Sequence, residues 1–195
     1  MTERILLIFF VFFMSYCGWS QDFSAQINPD KLTIDGKARD GISTSFDFPA
    51  KEVERGWWRY SREFGRPLNM RGYYKVTVPS EVNSGNVDII LLSKTLGSKT
   101  GCKFFVALDQ ENVPKTKVAA YNAQIRTILQ DFKKAYYIEE LGEILGKAEK
   151  KAATASKKVS KSNGNGKEKA LHELTSYQKQ IETIKSQLKI IYQAY

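Results

Sequence analysis

The chain has 195 residues, a formal net charge of +9 at pH 7, two cysteines and a single histidine. That length suits one domain with an appendage, and so few cysteines and histidines exclude a zinc site with the usual Cys/His spacing. The excess of lysine and arginine is typical of a basic protein that meets acidic partners, or whose charges serve solubility alone.

The first twenty residues have the pattern of a signal peptide. Residues 5–14 are an unbroken apolar run, which suits a signal-peptide core and is too short to span a bilayer. Small residues just before Gln21 favour cleavage at that point. We therefore predict a signal peptide at residues 1–20 and an exported protein, either periplasmic or secreted. The alternative is an uncleaved anchor.

The two cysteines predict neither a lipid anchor nor an internal disulfide. Cys17 follows Tyr16, whereas a lipid-modified cysteine normally follows a small residue. If Cys17 leaves with the signal peptide, the mature chain keeps only Cys102. A single thiol in an apolar strand is usually a core residue.

The mature chain is predicted to begin with a flexible leader and then to fold. Residues 21–40 are polar, include Gly and Pro and keep no lasting period, so we assign them to the leader. Alternating apolar residues from Ile42 predict a first strand, and Pro49 opens a helix that runs to about Phe64. We place the folded domain at residues 41–137.

Three further strands are predicted, over residues 68–78, 87–96 and 102–109. The last two are joined by a short loop and should pair antiparallel. Both are apolar on both faces, so we expect the C-terminal helices or another subunit to cover the second face of the sheet. The order of elements predicts an α+β fold, a two-layer sandwich with a four-stranded antiparallel sheet.

The last third of the chain, residues 138–195, predicts an antiparallel helical hairpin of the coiled-coil type. Apolar residues recur at alternating steps of three and four on both sides of an Asn-Gly repeat, which is the coiled-coil period. The first helix carries the seam Ile138, Leu141, Leu145, Ala148, Ala152, Ala155 and Val159, and the second carries Ala170, Leu174, Tyr177, Ile181, Ile184, Leu188 and Ile191. The alternative is that these are the last two helices of an ordinary globular fold.

The position of the turn predicts which seam residues face each other. If the chain reverses between Gly164 and Asn165, Leu145 faces Ile184, and small residues of one helix meet large residues of the other. We also expect Asn165 to cap the second helix. The apolar stripe of the preceding helix slips in phase at residues 135–138, which predicts one nearly continuous helix whose first half packs on the sheet.

One helix face offers a candidate binding site for anions. Its residues are Arg55, Trp58, Arg59 and Arg62, which lie on or beside the face opposite the apolar stripe of the first helix. Guanidinium groups bind phosphate or carboxylate through paired hydrogen bonds. The alternative is a solvated helix face whose charge is balanced by neighbouring glutamates.

The sequence carries no pattern typical of catalysis or metal binding. His172 lies on the second helix of the hairpin, and nothing in the sequence places it beside Cys102. A phosphate-binding glycine loop and a calcium loop are also missing. We therefore predict that the protein is not an enzyme and uses no cofactor and no metal.

The chain resembles a group of uncharacterised exported proteins from Bacteroidota. The residues that carry the likeness are Gln21 after the signal peptide, Trp57-Trp58-Arg59-Tyr60, residues 104–109 and residues 128–132. The resemblance implies a small α+β domain followed by a Lys/Glu-rich coiled coil, and it assigns no functional residue. This chain departs from the group by Gly142, Gly146 and shorter arms.

These patterns predict a non-enzymatic exported protein with an interaction or scaffolding role through the hairpin. The partners we expect are a second copy of the chain or a protein of the cell envelope. The alternative function is binding of an anionic envelope molecule, such as a lipid, lipopolysaccharide or acidic glycan, through the Arg/Trp helix face. We do not expect nucleic acid, because the export signal argues against it and no known binding module is recognisable.

Overall fold

The computed structural model describes residues 26–83, 87–97 and 99–194. The predicted signal peptide, its cleavage site and Cys17 lie outside the described residues. The described chain has an α+β fold with helices on one face of an antiparallel sheet. In chain order the elements are β1 Asn28–Ile34, β2 Lys37–Phe46, α1 Ala50–Ser61, β3 Arg66–Asn69, β4 Tyr74–Val78, α2 Ser80–Asn83, β5 Ile89–Gly97, β6 Cys102–Leu108, α3 Val118–Lys161 and α4 Asn165–Ala194.

Within the described ranges the sheet has six strands, in the order β1-β2-β6-β5-β4-β3, and every neighbouring pair is antiparallel. The predicted number of four strands is therefore wrong. One extra strand comes from the predicted leader, since residues 28–40 form β1 and the start of β2. Asp35 and Gly36 between them have positive φ values of 52° and 70°, as in the tight turns that close two-residue hairpins.

The other extra strand comes from the segment predicted as one strand over residues 68–78. Arg71 and Gly72 have positive φ values of 56° and 112°, and the N–H of Met70 donates to the carbonyl of Tyr73 at 2.9 Å. The chain therefore turns within this segment, and its two halves pair with each other as β3 and β4.

The main core lies between the sheet, α1 and the first half of α3. Alternate residues of β2, β4, β5 and β6 point into it. The ring of Trp57 is fully buried, and its centroid lies 5.1 Å from the ring centroids of both Phe104 and Phe132. The predicted apolar face of α1 is confirmed, because Val53 and Trp57 are both 0% exposed. Aromatic pairs of this kind stabilise a core beyond the area they bury.

The opposite face of the sheet is covered by the β1–β2 hairpin. Residues 37–41 of β2 extend beyond its pairing with β6. A second buried cluster joins this hairpin to the sheet, and its members are Ile34, Leu92, Phe105 and Ala107. The expectation that the C-terminal helices or another subunit cover this face is wrong for Leu92 and Phe105, which are buried within the single chain.

Polar contacts and a close backbone approach hold the β1–β2 hairpin in place. Arg39 Nη1 lies 2.9 Å from Asp109 Oδ1, and both side chains are mostly buried. A Cβ atom on Gly41 would lie 2.4 Å from the carbonyl oxygen of Val106, so only glycine allows the hairpin to lie this close to β6. A lysine of β2 donates a hydrogen bond to Glu111, two residues after Asp109, and this hydrogen bond lowers the pKa of the Glu111 carboxyl.

The two C-terminal helices pack together as a hairpin. α3 has 44 residues and α4 has 30, which corresponds to about 66 Å and about 45 Å at 1.5 Å per residue. Gly164 has a φ of 57°, and its carbonyl accepts the N–H groups of Lys167 and Glu168. Gly164 therefore caps α4, and the prediction that Asn165 is the cap is wrong.

The predicted seam lies between the two helices. Each of its fourteen residues is buried or half-buried. Two contacts across the pair agree with the predicted register to within two residues: Lys158 Nζ lies 3.4 Å from a Glu173 carboxylate oxygen, and Lys151 Nζ lies 5.9 Å from the ring centroid of Tyr177.

The core continues from the sheet into the base of the hairpin. Leu141, Ala148 and Ile184 belong to the same buried cluster as Trp57. The predicted domain boundary at residue 137 therefore lies inside α3 and inside a continuous core. We call residues 147–182 the arm; its first and last turns overlap this base, and the rest extends beyond it.

Candidate functional site

The predicted anion site lies on the exposed side of α1 and at its end. Arg55 and Arg59 are exposed, Trp58 is half-buried and Arg62 is the C-cap residue. Arg55 Nε donates to the carbonyl of Lys51 one turn earlier, at 3.2 Å. The helix therefore presents the four side chains as a row rather than folding them around a pocket.

Acidic residues lie beside the middle of this row. Arg59 Nη2 is 3.0 Å from a Glu139 carboxylate oxygen of α3, and about half of each side chain is exposed. Burial, and then the neighbouring carboxylates of Glu143 and Glu52, raise the pKa of Glu140. An anion beside Arg59 would be repelled by these carboxylates, so this part of the row is poorly suited to anion binding.

The tryptophan of the row packs on the sheet. Its ring centroid lies 5.6 Å from that of Tyr74 on β4. Burial raises the pKa of Glu54, which lies one turn before Trp58, and burial followed by the Glu54 charge raises the pKa of Tyr74. The Trp58 ring is therefore part of the contact between α1 and β4, where it packs on Tyr74 beside the Glu54 carboxyl, as well as part of the row.

Sequence analysis missed a buried polar cluster between β2 and α3. Lys133 is 1% exposed, its Nζ donates to Thr44 Oγ1 at 3.1 Å, and it lies 5.8 Å from the ring centroid of Phe46. One turn later, the hydroxyl of Tyr137 donates to Asp47 Oδ2 at 3.3 Å and accepts the Asp47 N–H at 3.2 Å.

The position of Lys133 in the sequence carries a signal of this cluster. It lies four residues after Leu129 and four before Tyr137, on the buried side of α3. Lysine is almost never fully buried without a partner, so a lysine on an apolar stripe predicts a polar contact inside the core. Neither of the two cavities described below includes Lys133, and the cluster serves to join β2 to α3.

The residues considered for catalysis lie apart. Burial, and then the Glu54 charge, raise the pKa of Cys102 to about 12, so the thiol stays protonated and is a poor nucleophile. His172 is exposed on the arm, whereas Cys102 is buried in the sheet. Among residues 26–83, 87–97 and 99–194, no group of three His, Cys, Asp or Glu side chains could hold a metal ion.

A groove of about 280 Å³ runs along one side of the arm. Its walls come from both helices: Lys150, Lys151, Thr154, Ala155 and Lys158 of α3, and Glu173 and Tyr177 of α4. The Lys158–Glu173 ion pair and the contact of Lys151 with the Tyr177 ring bridge it.

This groove lies in the most basic part of the chain. Between residues 150 and 169 the sequence has seven lysines, one glutamate and no other charged side chain. The heptad pattern places such lysines on the outer faces of the helices, where charge usually serves solubility. The groove itself was missed because it depends on α4 bringing Glu173 and Tyr177 across to the lysines of α3.

A second cavity of about 290 Å³ lies between the β1–β2 hairpin and α3. Its apolar wall includes Ile42 and Val106. The charged groups at its rim already have partners, because Arg126 Nη1 donates to the carbonyl of Ile27 at 3.0 Å, and Asp40 pairs with a lysine of β1. This cavity offers a ligand fewer available polar groups than the groove on the arm.

Comparisons with known proteins leave the family open. No protein-family model matches the chain, and neither a curated protein nor a solved structure matches it significantly. The resemblance to exported proteins of Bacteroidota therefore stays a prediction. In the part of the chain that the structure describes, no helix combines the length and the apolar character needed to cross a membrane.

Proposed function

We propose that this protein is a non-enzymatic exported protein whose helical hairpin is a docking arm. In this proposal a two-layer α+β domain is the base, and the two C-terminal helices form a coiled coil that binds an envelope protein or a second copy of the chain. The base and the arm share one helix, because α3 runs through both without a break.

The observation that carries the proposal is the length of α3 relative to the sheet. The longest strand, β2, has 10 residues and spans about 33 Å, whereas α3 spans about 66 Å. α4 packs chiefly on α3 and not on the sheet. A helical pair of this length exposes far more surface than a compact domain needs, which supports a role in binding a partner.

The export part of the proposal rests on residues 1–20. Their apolar run has the length of a signal-peptide core, and small residues precede Gln21. N-terminal sequencing of the mature protein tests this part. A chain that begins at Gln21 supports export, and a periplasmic or cell-surface chain that still carries residues 1–20 would favour an uncleaved anchor.

A shortened arm tests the docking role. Removing residues 148–161 and 168–181 deletes two heptads from each helix, keeps the seam in phase and retains the turn. We expect the shortened chain to keep the near-ultraviolet circular dichroism signal of its aromatic core. We expect it to lose cross-linking to its partner in intact cells. Light scattering of both chains separates docking from self-association. Identical cross-links and the same oligomeric state for the two chains would contradict the proposal.

The alternative, an anion binder that uses Arg55, Trp58, Arg59 and Arg62, has less support. Arg59 lies among glutamates, and Trp58 packs on Tyr74. The double substitution Arg59→Glu and Arg62→Glu should leave retention on heparin and on anionic vesicles unchanged. A large loss of retention would restore the alternative.

A further inference from the structure

We infer that a row of lysines along the arm binds a linear acidic polysaccharide. The inference rests on the proposed function, because it names the kind of partner that the docking arm would hold. The inferred anion-binding site lies on the arm and is formed by residues of α3 and α4, whereas the site predicted from the sequence lies on α1.

The lysines form one straight row on α3. Lys147, Lys150, Thr154, Lys157 and Lys161 follow one another at steps of three, four, three and four residues, which places them on one face of the helix. The row is about 21 Å long at 1.5 Å per residue. Such a row matches a partner that carries regularly repeated negative charges along an extended chain.

Several of these charges are available to a partner. Lys150, Lys157 and Lys161 are exposed, and none of them has an ion pair with another described residue. The side chains of Lys158 and Glu173 are 59% and 37% exposed, so their ion pair is weak and can rearrange at small cost. The row can therefore neutralise an anionic chain without breaking buried contacts.

The groove beside the row suits sugars better than other anionic partners. The Thr154 hydroxyl donates to the Lys150 carbonyl at 3.0 Å, and its oxygen can still accept a hydrogen bond. Tyr177 supplies a half-buried ring, and the Glu173 carboxylate can accept hydrogen bonds from sugar hydroxyls. The same carboxylate would repel any anionic group beside it, so the charged groups of the partner must lie along the lysine row and uncharged hydroxyls must face Glu173. A polysaccharide with one carboxylate per sugar can place its carboxylates on the lysines and its hydroxyls on Thr154 and Glu173, with a sugar ring beside Tyr177.

Two other polyanions fit the arm less well. On the arm, all of which the structure describes, the one exposed large apolar side chain is that of Leu171, at 43%. A single such residue makes no apolar face that could insert into a membrane surface. Binding of single-stranded nucleic acid usually needs several aromatic side chains on which bases stack, and Tyr177 is the one aromatic residue that lines the groove.

The charge of the hairpin also changes along its length. Glu139, Glu140 and Glu143 lie at the base of the hairpin, whereas the lysines are concentrated toward its tip. The field of such a helix pair steers an anionic chain away from the base and toward the arm.

Two matched triple variants of the full mature chain test the inference. The first changes Lys150→Gln, Lys157→Gln and Lys161→Gln, and the control changes Lys179→Gln, Lys185→Gln and Lys189→Gln on α4. Both remove three exposed positive charges, and glutamine and lysine have similar helix propensity. The probe is a labelled polygalacturonate oligomer, titrated by fluorescence anisotropy over a range of sodium chloride concentrations.

We expect the first variant to lose affinity by about tenfold or more at about 50 mM salt, and the control to change by less than about twofold. The dependence of log K on log salt should also become shallower in the first variant alone, because fewer counterions are released. Equal losses in both variants would show that net charge alone is responsible and would overturn the inference, as would the absence of binding by the unchanged chain.

Further probes separate the polysaccharide from other anions. A single-stranded oligonucleotide of equal charge and vesicles containing phosphatidylglycerol should bind more weakly than polygalacturonate. Tighter binding of either one, with the same sensitivity to the first variant, would overturn the assignment to a polysaccharide. If no chain binds polygalacturonate but the shortened arm still loses its cross-links, the inference fails and the docking arm stands. If the shortened arm cross-links normally, the proposed function itself fails.

Discussion

The globular base and the arm are stabilised in different ways. In the base, large rings such as those of Trp57, Phe104 and Phe132 are packed on several sides within one core. In the arm, one narrow seam sets alanines of α3 against larger residues of α4, and most other side chains are exposed. The base therefore has far more buried contact per residue than the arm.

This difference implies a gradient of local stability along α3. Segments with few buried contacts and many exposed backbone hydrogen bonds open at lower free energy than the global unfolding of the protein. We expect amides of the arm to exchange faster than those of α3 beside the sheet. A helical pair that is packed on the base at one end and exposed to solvent at its tip suits a docking role.

The largest expected effect comes from the centre of the base. Trp57→Ala should lower the free energy of unfolding by about 3–5 kcal/mol, because it empties a fully buried, ring-lined site. Urea denaturation measures the change. The neighbouring Trp58→Ala is the control, since Trp58 is half-buried on the surface of α1 and should cost clearly less. Equal costs would contradict the description of the core.

Two helical glycines sharpen the contrast between a packed and an open helix face. A Cβ on Gly56 would lie 2.5 Å from the buried Tyr136 ring, whereas a Cβ on Gly142 would meet nothing within 4 Å. Gly56→Ala should therefore destabilise by about 1–3 kcal/mol through overpacking. Gly142→Ala should stabilise by about 0.5–1 kcal/mol through helix propensity. Thermal denaturation of the two variants should give shifts of opposite sign, and shifts of the same sign would contradict this account.

Removing one hydroxyl tests the polar junction between β2 and α3. Tyr137→Phe keeps the ring and removes the hydrogen bonds to Asp47, so it should cost about 1–2 kcal/mol of unfolding free energy. Tyr192→Phe is a suitable control, because Tyr192 is exposed at the end of α4. A neutral Tyr137→Phe variant would mean that the junction contributes little to stability.

The smallest expected effect depends on pH. Burial, and then the nearby carboxylates, raise the pKa of Glu140, so its ionised form disfavours the folded state. Glu140→Gln should therefore raise the melting temperature at pH 7 by about 1–2 °C. The advantage should disappear as the pH falls below the ordinary pKa of glutamate, where the carboxyl is protonated in both states. A constant advantage between pH 7 and pH 4 would contradict this cause.

The hairpin could be predicted from the sequence because its signal is local and repeated. Residues such as Leu141, Ala152 and Ile184 recur at fixed steps, and each is buried or half-buried as predicted. Two-faced apolar strands were also recognisable, since Phe104 and Phe105 belong to separate clusters on opposite faces of the sheet.

The remaining features depend on contacts between distant residues. The polar segment of residues 28–40 is ordered by pairing with β2 and by the Arg39–Asp109 ion pair, neither of which leaves a local period. The acidic surroundings of Arg59 and the groove on the arm depend on which helices lie side by side. The two features therefore could not be predicted from the spacing of residues within one helix.

The most direct test of the account is a distance between the two helices of the arm. Lys151 and Gln180 are both exposed and lie close together in the predicted register. Nitroxide labels can be introduced through Lys151→Cys and Gln180→Cys in a chain that starts at Gln21 and so lacks Cys17. The remaining thiol, that of Cys102, is buried, and its raised pKa keeps it unreactive. If the helices are packed side by side at about 8–10 Å between axes, electron paramagnetic resonance should give one narrow distance distribution below about 25 Å. A broad distribution centred beyond about 40 Å would mean that the helices are splayed apart, and the docking arm would then have no structural basis.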